Sequence, residues 1–335
     1  FEQAVIATGS KQIELPGFEF DGEDVIGARE ALSPTDVPEK LVVIGGGYIG
    51  LEMGSVYKRF GSQVDLVEMA DELLAFHDPE VSKAINQRIK HLGINLHMGH
   101  RAVKWEKGSP HKVTIADNDG NETVLEADKI MVSVGRKPIS DTIGLNAAGI
   151  ETDDKGFIKV NERMETNVPG IYALGDVVGG PLLAHKAYRE AKVAAEVIAG
   201  NPSAFDNVVI PAVVYTDPEL AWAGLTETEA KAAGYNVVTG TFPFKASGRA
   251  MTLSAVDGFV KTVADADTKL ILGVTIMGRD AGEMISEAAL AIEMGAFLDD
   301  LAGTIHPHPT LSEGLLESVE AALGEAVHIL NTNKG

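Results

Sequence analysis

The sequence Gly45-Gly46-Gly47-Tyr48-Ile49-Gly50 is a glycine-rich turn between two elements of different periodicity. The apolar run Leu41–Ile44 precedes it and predicts a short buried strand. Helical spacing from Ile49 to Phe60 follows it and predicts a helix that ends at Gly61. A strand, a turn of this kind and a helix, in that order, are typical of a dinucleotide-binding unit.

The three glycines of the Gly-x-Gly-x-x-Gly pattern have separate tasks in such a turn. Gly45 allows the tight turn, Gly47 lets the backbone approach a pyrophosphate, and Gly50 permits close packing of helix against strand. Glu68 closes the next predicted strand, Val64–Val67, where a carboxylate can accept hydrogen bonds from both ribose hydroxyls. This arrangement favours NAD over NADP. A structural turn with an incidental surface glutamate is the alternative.

Strand and helix patterns alternate up to about residue 138 and include a helical run at Pro79–His91. Such alternation predicts a parallel sheet and an α/β fold class. The pattern changes over 139–208, and from about 209 it is α+β, with a last helix predicted at Pro309–Leu323. The chain opens at Phe1, and the apolar Ala4–Ala7 predicts a buried strand. We therefore expect the sequence to begin inside a domain.

Composition excludes several classes of function. The net charge of −21 argues against a nucleic-acid partner, because a phosphate backbone is bound by Lys and Arg. Solubility, a salt-adapted host and an acidic face for a basic partner all fit this charge. With no cysteine, a disulfide scaffold and a thiolate metal site are excluded, and we expect no metal. Neither a transmembrane stretch nor a signal peptide is visible, so we expect no membrane partner and a cytoplasmic protein.

A second candidate site follows the short apolar strand predicted at Ile171–Leu174. Asp176 comes directly after it, at the strand end where α/β folds bind ligands, although a role as a turn former is equally open. A helix is predicted over Lys186–Ala199, and its N-terminus could stabilise negative charge on a cofactor ring. His185, just before this helix, could also cap the helix or pack against it.

A third candidate site contains His308 and Glu313. Pro309 disfavours helix at His308 and suits the first helical position itself. Glu313 then lies in the second turn of the predicted helix and could fold back to hold one ring nitrogen as a donor. The other nitrogen would be left as a base. From spacing alone, catalysis and a structural cap are both open.

Five motifs, taken together, resemble the flavoprotein disulfide reductases over essentially the whole chain. They are Ala7-Thr8-Gly9, the turn at Gly45–Gly50, Val134-Gly135-Arg136-Lys137-Pro138, Tyr172-Ala173-Leu174-Gly175-Asp176 and His308-Pro309-Thr310-Leu311-Ser312-Glu313. Within that family, Leu183-Ala184-His185-Lys186-Ala187 and the run from His306 to Leu311 most resemble the dihydrolipoamide dehydrogenases.

This resemblance implies FAD and NAD as cofactors and oxidation of protein-bound dihydrolipoamide through a redox-active disulfide. It also implies a homodimer that binds the lipoyl domain and the subunit-binding domain of the E2 acyltransferase in 2-oxo-acid dehydrogenase complexes. A related flavoprotein disulfide reductase or transhydrogenase is one alternative. A non-catalytic NAD-binding and dimerisation fragment is another.

The resemblance further implies a role for each matching residue. The residues that would contact FAD are Thr8, Gly9, Ser10 and Asp176, with Leu182, Leu183, Ala184 and His185 along the flavin. Those that would bind NAD are Gly45, Gly46, Gly47, Tyr48, Ile49, Gly50 and Glu52, with Glu68 on the adenosine ribose, Ala102 near the adenine and Gly135 on the nicotinamide side. Tyr48 would shield the flavin until nicotinamide arrives. His308 would deprotonate the dihydrolipoyl thiol, with Glu313 orienting it.

The domains that the resemblance predicts are the end of a first FAD-domain part with its linker (1–37), a Rossmann-like NAD-binding domain (38–138), the second part of the FAD domain (139–208) and an α+β dimerisation domain (209–335). The family's first Gly-x-Gly-x-x-Gly and its Cys-x4-Cys pair are missing from this sequence. We therefore expect a truncated chain, with only a remnant of the FAD domain. Alone it should not oxidise dihydrolipoamide, because electrons reach the flavin through those sulfurs.

Overall fold

The structure is a computed structural model that describes residues 1–331. It divides into two compact units, one formed by Phe1–Leu15 with Val134–Asn207, the other by Pro16–Ser133 with the residues from Val208 onward. The first unit is therefore discontinuous in sequence, and a whole α/β segment is inserted into it. This arrangement confirms the predicted fold class, whereas the exact domain limits stay a prediction.

The regular elements of the described chain are mostly short. The strands are β1 (Ala4–Ile6), β2 (Ser10–Gln12), β3 (Val25–Ile26), β4 (Lys40–Ile44), β5 (Gln63–Glu68), β6 (Asn95–Met98), β7 (Arg101–Glu106), β8 (His111–Ala116), β9 (Glu122–Ala127), β10 (Lys129–Val132), β11 (Arg136–Pro138), β12 (Ile171–Ala173), β13 (Ala212–Val214), β14 (Glu219–Gly224), β15 (Val237–Pro243), β16 (Phe259–Asp265) and β17 (Ile271–Gly278). The α-helices are α1 (Ala28–Ala31), α2 (Tyr48–Phe60), α3 (Pro79–Leu92), α4 (Leu145–Ala148), α5 (Ala184–Ile198), α6 (Glu227–Ala232), α7 (Gly248–Thr252), α8 (Ala281–Glu293), α9 (Leu298–Ala302) and α10 (Glu313–Leu323). Single 3₁₀ turns lie at Gly175–Val178 and Phe244–Ala246.

In the first unit, two pairs of strands join the start of the chain to the segment after residue 134. Strand β1 runs parallel to β12, and β2 runs antiparallel to β11. The N–H of Leu174 donates to the carbonyl of Ile6 at 3.0 Å, which continues the first pairing toward Asp176. Helix α5 buries Val193, Ala194 and Val197 in a cluster with β12, as expected for one apolar face of a helix.

A five-stranded parallel sheet forms the inserted part of the second unit, in the order β3-β10-β4-β5-β6. The residues Leu41–Ile44 of β4 are all buried, as a parallel strand covered on both faces requires. Helix α2 follows β4 and ends at Gly61, whose φ of 106° is the left-handed conformation that glycine adopts readily. The predicted parallel sheet and the predicted end of this helix are confirmed.

A second five-stranded sheet, antiparallel, follows in the same unit in the order β13-β14-β17-β16-β15. Helix α8 packs on β14 and β17, and α10 packs on β15 and β16. The contact with α10 is backbone against backbone: a Cβ on Gly240 of β15 would lie 2.0 Å from the carbonyl oxygen of Ser318. Only glycine fits there, because any side chain would prevent the backbone of α10 from lying this close to β15.

A buried ion cluster joins the two halves of the second unit. The side chain of Lys261 in β16 is 3% exposed, and its ammonium donates to Asp78 at 3.0 Å, to Glu227 at 2.7 Å and to Glu80. Burial alone would lower the pKa of Lys261, but the three carboxylates raise it well above its ordinary value. Asp78 also accepts from the N–H of Thr228 at 3.1 Å. The three carboxylates are therefore gathered around an ammonium group, which balances part of their charge.

Some sequence predictions were wrong in detail. Ala4–Ala7 is not a buried strand: β1 spans Ala4–Ile6, and Val5 is 47% exposed because β1 pairs with β12 alone. Strands β7 and β14 were not predicted. In β14 the small residues Ala221 and Ala223 have low strand propensity, and pairing on both edges with β13 and β17 outweighs that preference.

His77 is a buried histidine with no polar partner. It is 6% exposed, and neither ring nitrogen has a hydrogen-bond partner within residues 1–331. Its ring lies edge-on to Trp222, with centroids 4.4 Å apart, and 4.7 Å from the ring of Phe76. Burial lowers the pKa of His77 to about 4, against smaller opposing effects of Asp78 and Glu229. The imidazole is therefore neutral in the folded protein at pH values where it would be charged in the unfolded chain.

This burial predicts a specific loss of stability in mild acid. The unfolded chain binds a proton at His77 below about pH 6.5, whereas the folded chain binds it only near pH 4. The contribution of His77 to the free energy of unfolding is thus fully present above pH 6.5. It falls by about 2–3 kcal/mol when the pH is lowered to 4.5. Urea unfolding of wild type and His77→Phe at pH 7.5 and 4.5 measures this change in the free energy of unfolding. The variant should lose less stability in acid than wild type.

The matched control is His91→Phe, because His91 lies exposed on α3. It should show the same pH dependence as wild type. An equal loss of stability in wild type and His77→Phe would contradict the assignment of this effect to the buried ring.

Candidate functional site

The glycine turn after β4 is packed so tightly that two of its positions accept only glycine. Gly45 has a φ of 107°, and a Cβ there would lie 2.5 Å from the carbonyl oxygen of Ser133. A Cβ on Gly50 would lie 1.9 Å from the carbonyl oxygen of Gly45. The Ser133 hydroxyl, at the end of β10, donates to that same oxygen at 3.1 Å. The turn is therefore held against two parallel strands, and α2 starts at a fixed point.

Gly47 differs from its neighbours because it borders open space. It is the N-cap of α2, with an ordinary φ of −71°, and a Cβ there would meet nothing within 4 Å. The unpaired N–H groups of the first helical turn point from this end of α2 and attract anionic groups. A pyrophosphate can approach the backbone here because the glycine has no side chain in the way. The residues present thus fit a dinucleotide.

Glu68 lies at the C-terminal end of β5, next to this turn. Its Oε2 accepts from the N–H of Gly46 at 2.7 Å, and its Oε1 accepts from the N–H of Ala70 at 2.8 Å. Two backbone donors thus orient the carboxylate, and each oxygen keeps a further lone pair for a ribose hydroxyl. The chain after β6 runs alongside, because the N–H of His100 donates to the Glu68 carbonyl at 3.0 Å. Ala102 follows in β7, and its place near adenine stays a prediction.

The first turns of α2 carry three more predicted NAD ligands. Tyr48 is half exposed and lies edge-on to Phe76, with ring centroids 6.5 Å apart. Ile49 packs partly buried against the core of the unit. Glu52 accepts from the backbone N–H of Tyr215 at 2.9 Å. Burial raises the pKa of the Glu52 carboxyl above its ordinary value, against the lowering effect of that N–H group.

In the first unit, the structure brings together predicted flavin ligands that are far apart in sequence. The hydroxyl of Ser10 donates to Oδ2 of Asp176 at 2.5 Å across 166 positions. The hydroxyl of Thr8 donates to the carbonyl of Ile139 at 2.6 Å, and the carbonyl of Gly9 accepts from the N–H of the same residue at 2.9 Å. Ser10 and Asp176 are thus brought together, and Thr8 and Gly9 are bound to Ile139 beside them; that all four contact FAD stays a prediction.

Arg136 is a residue of this site that sequence reasoning missed. Its Nε donates to the hydroxyl of Ser10 at 2.7 Å, its Nη2 donates to the carbonyl of Ser10 at 2.7 Å, and its Nε lies 3.9 Å from Oδ2 of Asp176. The conspicuous arginine directly after Gly135 was the available signal. Gly135 itself also lies in the first unit, where its carbonyl accepts from the N–H of Ile13 at 3.0 Å. Its place on the nicotinamide side stays a prediction.

Helix α5 begins two residues earlier than predicted. Its N-cap is Leu183, and Ala184 and His185 already belong to the helix. Leu182 precedes the cap and is partly buried. The exposed Ala184 at the first helical position leaves the helix N-terminus open to a ligand. We had expected His185 before the helix, and its place inside the first turn makes its backbone N–H part of this N-terminus.

The structure shows a hydrogen bond between His308 and Glu313, although the helix start was predicted wrongly. Nδ1 of His308 lies 2.8 Å from Oε1 of Glu313, and the imidazole is 75% exposed. Helix α10 begins at Glu313 and not at Pro309, so Glu313 lies in the first turn. The residues just before α10 form a separate turn, in which the Thr310 hydroxyl donates to the carbonyl of Pro307 at 2.8 Å.

Glu313 is held by two donors at once. Its Oε1 pairs with His308, and its Oε2 accepts from the N–H of Thr310 at 2.7 Å. Partial burial alone would raise the pKa of the Glu313 carboxyl, but the Thr310 N–H and the His308 ring outweigh it and lower the pKa. The carboxylate therefore stays ionised and holds Nδ1 of His308, which leaves Nε2 as the nitrogen that could act as a base.

No helix within residues 1–331 has both the length and the apolar character needed to span a membrane.

Comparisons with known proteins identify relatives over most of the chain. Residues 1–191 match the model of the pyridine nucleotide-disulphide oxidoreductase family, and residues 210–319 match the dimerisation domain of the same family. Dihydrolipoyl dehydrogenase of Thermus scotoductus is 50% identical over 98% of this chain and 71% of that protein. Dihydrolipoyl dehydrogenase of Halobacterium salinarum is 48% identical over 99% of this chain and 70% of that protein.

Solved structures show the same fold. The HOCl-induced flavoprotein disulfide reductase from Escherichia coli superposes with a TM-score of 0.88 at 26% identity, over 95% of this chain and 73% of that one. LpdA from Mycobacterium tuberculosis superposes with a TM-score of 0.87 at 26% identity, over 94% of this chain and 68% of that one. Because these family models cover residues 1–191 and 210–319 and the relatives are up to 50% identical, the chain belongs to the pyridine nucleotide-disulphide oxidoreductase family.

Proposed function

We propose that this chain provides the NAD site, the thiol base and one part of the flavin site of a dihydrolipoamide dehydrogenase. The enzyme oxidises protein-bound dihydrolipoamide and reduces NAD+. The observation that carries this proposal is the 2.8 Å contact between His308 and Glu313, because an oriented and exposed imidazole serves thiol chemistry. Enzymes of this family use FAD and NAD, and the relatives with 44–50% identity carry the dihydrolipoyl dehydrogenase name.

The glycine turn and α2 would hold the pyrophosphate of NAD. The open space at Gly47 supports this placement, as does the helix N-terminus behind it. Glu68 would accept from the adenosine ribose hydroxyls, with its carboxylate oriented beforehand by Gly46 and Ala70. A carboxylate at this place repels a 2′-phosphate, which favours NAD over NADP.

FAD, when bound, would supply the two-electron redox chemistry that links the dithiol to NAD+. Asp176 and Ser10 would contact its ribityl chain, and the N-terminus of α5 would face the ring. Arg136 orients Ser10, since it donates to both the hydroxyl and the carbonyl of that residue.

His308 would take the proton of a dihydrolipoyl thiol at Nε2, while Glu313 keeps the proton on Nδ1. Thiolate formation speeds attack on a disulfide, because the thiolate is the nucleophile. The imidazole is exposed at the start of α10, within the segment that matches the dimerisation domain. We infer a homodimer in which this His308 serves the site of the partner subunit.

The sequence contains no cysteine, so the disulfide must be supplied by residues outside it. We further propose that the complete enzyme is cytoplasmic and docks on the lipoyl and subunit-binding domains of an E2 acyltransferase. The net charge of −21 fits a basic docking domain. Pull-down with an isolated subunit-binding domain at low and high salt tests this docking.

Residues 1–335 alone should not oxidise dihydrolipoamide. We expect no NADH production above background when FAD, NAD+ and dihydrolipoamide are added, because electrons have no disulfide through which to pass. Absorbance at 340 nm measures this. Robust NADH production by this polypeptide would contradict the proposed route through a disulfide.

Gly47→Ala should weaken NAD binding without destabilising the fold. The added methyl group meets no atom of the protein, but it occupies the space where a pyrophosphate would approach. We expect at least a tenfold higher Kd for NADH, equivalent to about 1.4 kcal/mol, with little change in the thermal midpoint. Fluorescence titration with NADH measures the affinity.

Gly54→Ala, on the same helix, is the matched control. Its Cβ would lie at ordinary contact distances of 3.7–3.9 Å from Val64, Ile94 and Val43. This variant should bind NADH like wild type. Equal NADH affinity in both variants would show that the nucleotide does not approach at Gly47.

His308→Gln should slow thiol chemistry selectively. In the FAD-loaded enzyme joined to its cysteine-bearing segment, we expect kcat for dihydrolipoamide to fall about 10²–10⁴-fold. Reduction of ferricyanide by NADH needs no thiol base and should be unchanged. The exposed His91→Gln serves as control, and full lipoamide activity in His308→Gln would rule out the assigned role.

A further inference from the structure

Helix α5 carries a charged pair that is buried. Lys186 is 5% exposed and Glu190 is 3% exposed, and Nζ of Lys186 donates to Oε1 of Glu190 at 2.6 Å. Lysine and glutamate four positions apart on a helix are ordinarily a solvent-exposed pair worth a few tenths of a kcal/mol. Burial of both charges is expensive, so a pair in this place calls for a reason beyond helix stability.

The second oxygen of Glu190 supplies that reason. Oε2 accepts from the backbone N–H of Gly175 at 2.7 Å in a buried environment. Gly175 has a φ of 77° and opens the 3₁₀ turn Gly175–Val178, whose second residue is Asp176. One carboxylate thus binds an ammonium group on its own helix and the backbone of the turn that carries the predicted flavin ligand.

The turn also fits closely around the start of α5. A Cβ on Gly175 would lie 3.4 Å from the Cβ of Ala187, and a Cβ on Gly180 would lie 3.3 Å from Cε of Lys186. The aliphatic part of Lys186 is therefore packed against the loop, while its ammonium group neutralises Glu190. The far side of the turn is fixed by the hydrogen bond from Ser10 to Asp176.

We propose that Lys186 and Glu190 are positioning residues for the flavin. They lock the Asp176 turn to the first turns of α5, so that the Asp176 carboxylate and the helix N-terminus keep one fixed relation. The Asp176 carboxylate and the N-terminus of α5 must contact the same cofactor. A displacement of about 1 Å between them would weaken cofactor binding and orientation. The role rests on the proposed flavin site, in which Asp176 and α5 both take part.

Two neutral double variants separate positioning from stability. Lys186→Met with Glu190→Gln removes both charges and keeps an oxygen that can accept from Gly175. Lys186→Met with Glu190→Leu removes the charges and that oxygen as well. Removal of both partners avoids an unpaired buried charge, so both proteins should fold. The matched control is Lys192→Met with Glu196→Leu, an exposed pair with the same spacing on the same helix.

Hydrogen exchange at the Gly175 amide, without FAD, gives the first readout. Quenching of flavin fluorescence, on titration of FAD into the apoprotein of the chain joined to its cysteine-bearing segment, gives the Kd for FAD. The Lys186→Met, Glu190→Leu variant should exchange the Gly175 amide at least tenfold faster than wild type. It should also bind FAD at least fivefold more weakly. The Lys186→Met, Glu190→Gln variant should keep most of the exchange protection at Gly175 and most of the FAD affinity. The exposed control should match wild type in both.

The outcomes that contradict the proposal are distinct. Suppose that wild type binds FAD and that the Lys186→Met, Glu190→Leu variant has the same Gly175 exchange rate and the same FAD affinity. Lys186 and Glu190 then have no positioning role. If the Lys186→Met, Glu190→Gln variant loses as much exchange protection and FAD affinity as the Lys186→Met, Glu190→Leu variant, the charges stabilise the fold and do not act through the bond to Gly175. If wild type does not bind FAD, the proposed flavin site fails, and with it this role.

Discussion

The contact that the second unit depends on most is the approach of Gly50 to the carbonyl oxygen of Gly45, where a Cβ would lie at only 1.9 Å. It lets α2 start directly against β4 and β10 with no side chain between backbone and backbone. Because the helix start is fixed, so is the direction of its free N–H groups. Glu68, one strand away, reaches back to Gly46 and closes the same small structure. The shape of the proposed dinucleotide site is therefore set first by the absence of side chains in the turn and then by the position of the Glu68 carboxylate.

The two proposed cofactor sites of the chain are built in different ways. The dinucleotide turn and Glu68 lie within one βαβ segment, so most of the site is local in sequence. The flavin edge joins Ser10 to Asp176 across 166 positions and depends on the pairing of β1 with β12. Helical capping and glycine geometry suffice for the first site, whereas the second exists only when distant strands have met.

This difference explains what could be predicted from the sequence. The glycine turn, the end of α2 at Gly61 and the contact of His308 with Glu313 follow from local patterns, and the structure contains all three. The start of α10 was missed because the prediction took Pro309 as the first helical position, whereas Glu313 accepts from the N–H of Thr310 across the Thr-x-x-Glu spacing of the preceding turn. Arg136 on Ser10 and Tyr215 on Glu52 are long-range contacts, and no periodicity reports them. The spacing of Lys186 and Glu190 suggests a surface pair, and only the packed loop shows it to be buried.

Gly240 has a consequence for how mutational data on this protein should be interpreted. It touches no cofactor and sits in the middle of β15, yet any side chain there would collide with the backbone of α10 near Ser318. The helix would have to lift, and the carboxylate at its first turn would move with it. In a deep mutational scan, position 240 would score like the proposed proton-transfer pair, although it lies 68 positions from His308 and 73 positions from Glu313 in sequence. Selection at that codon thus depends on how closely α10 packs against β15 and not on strand propensity.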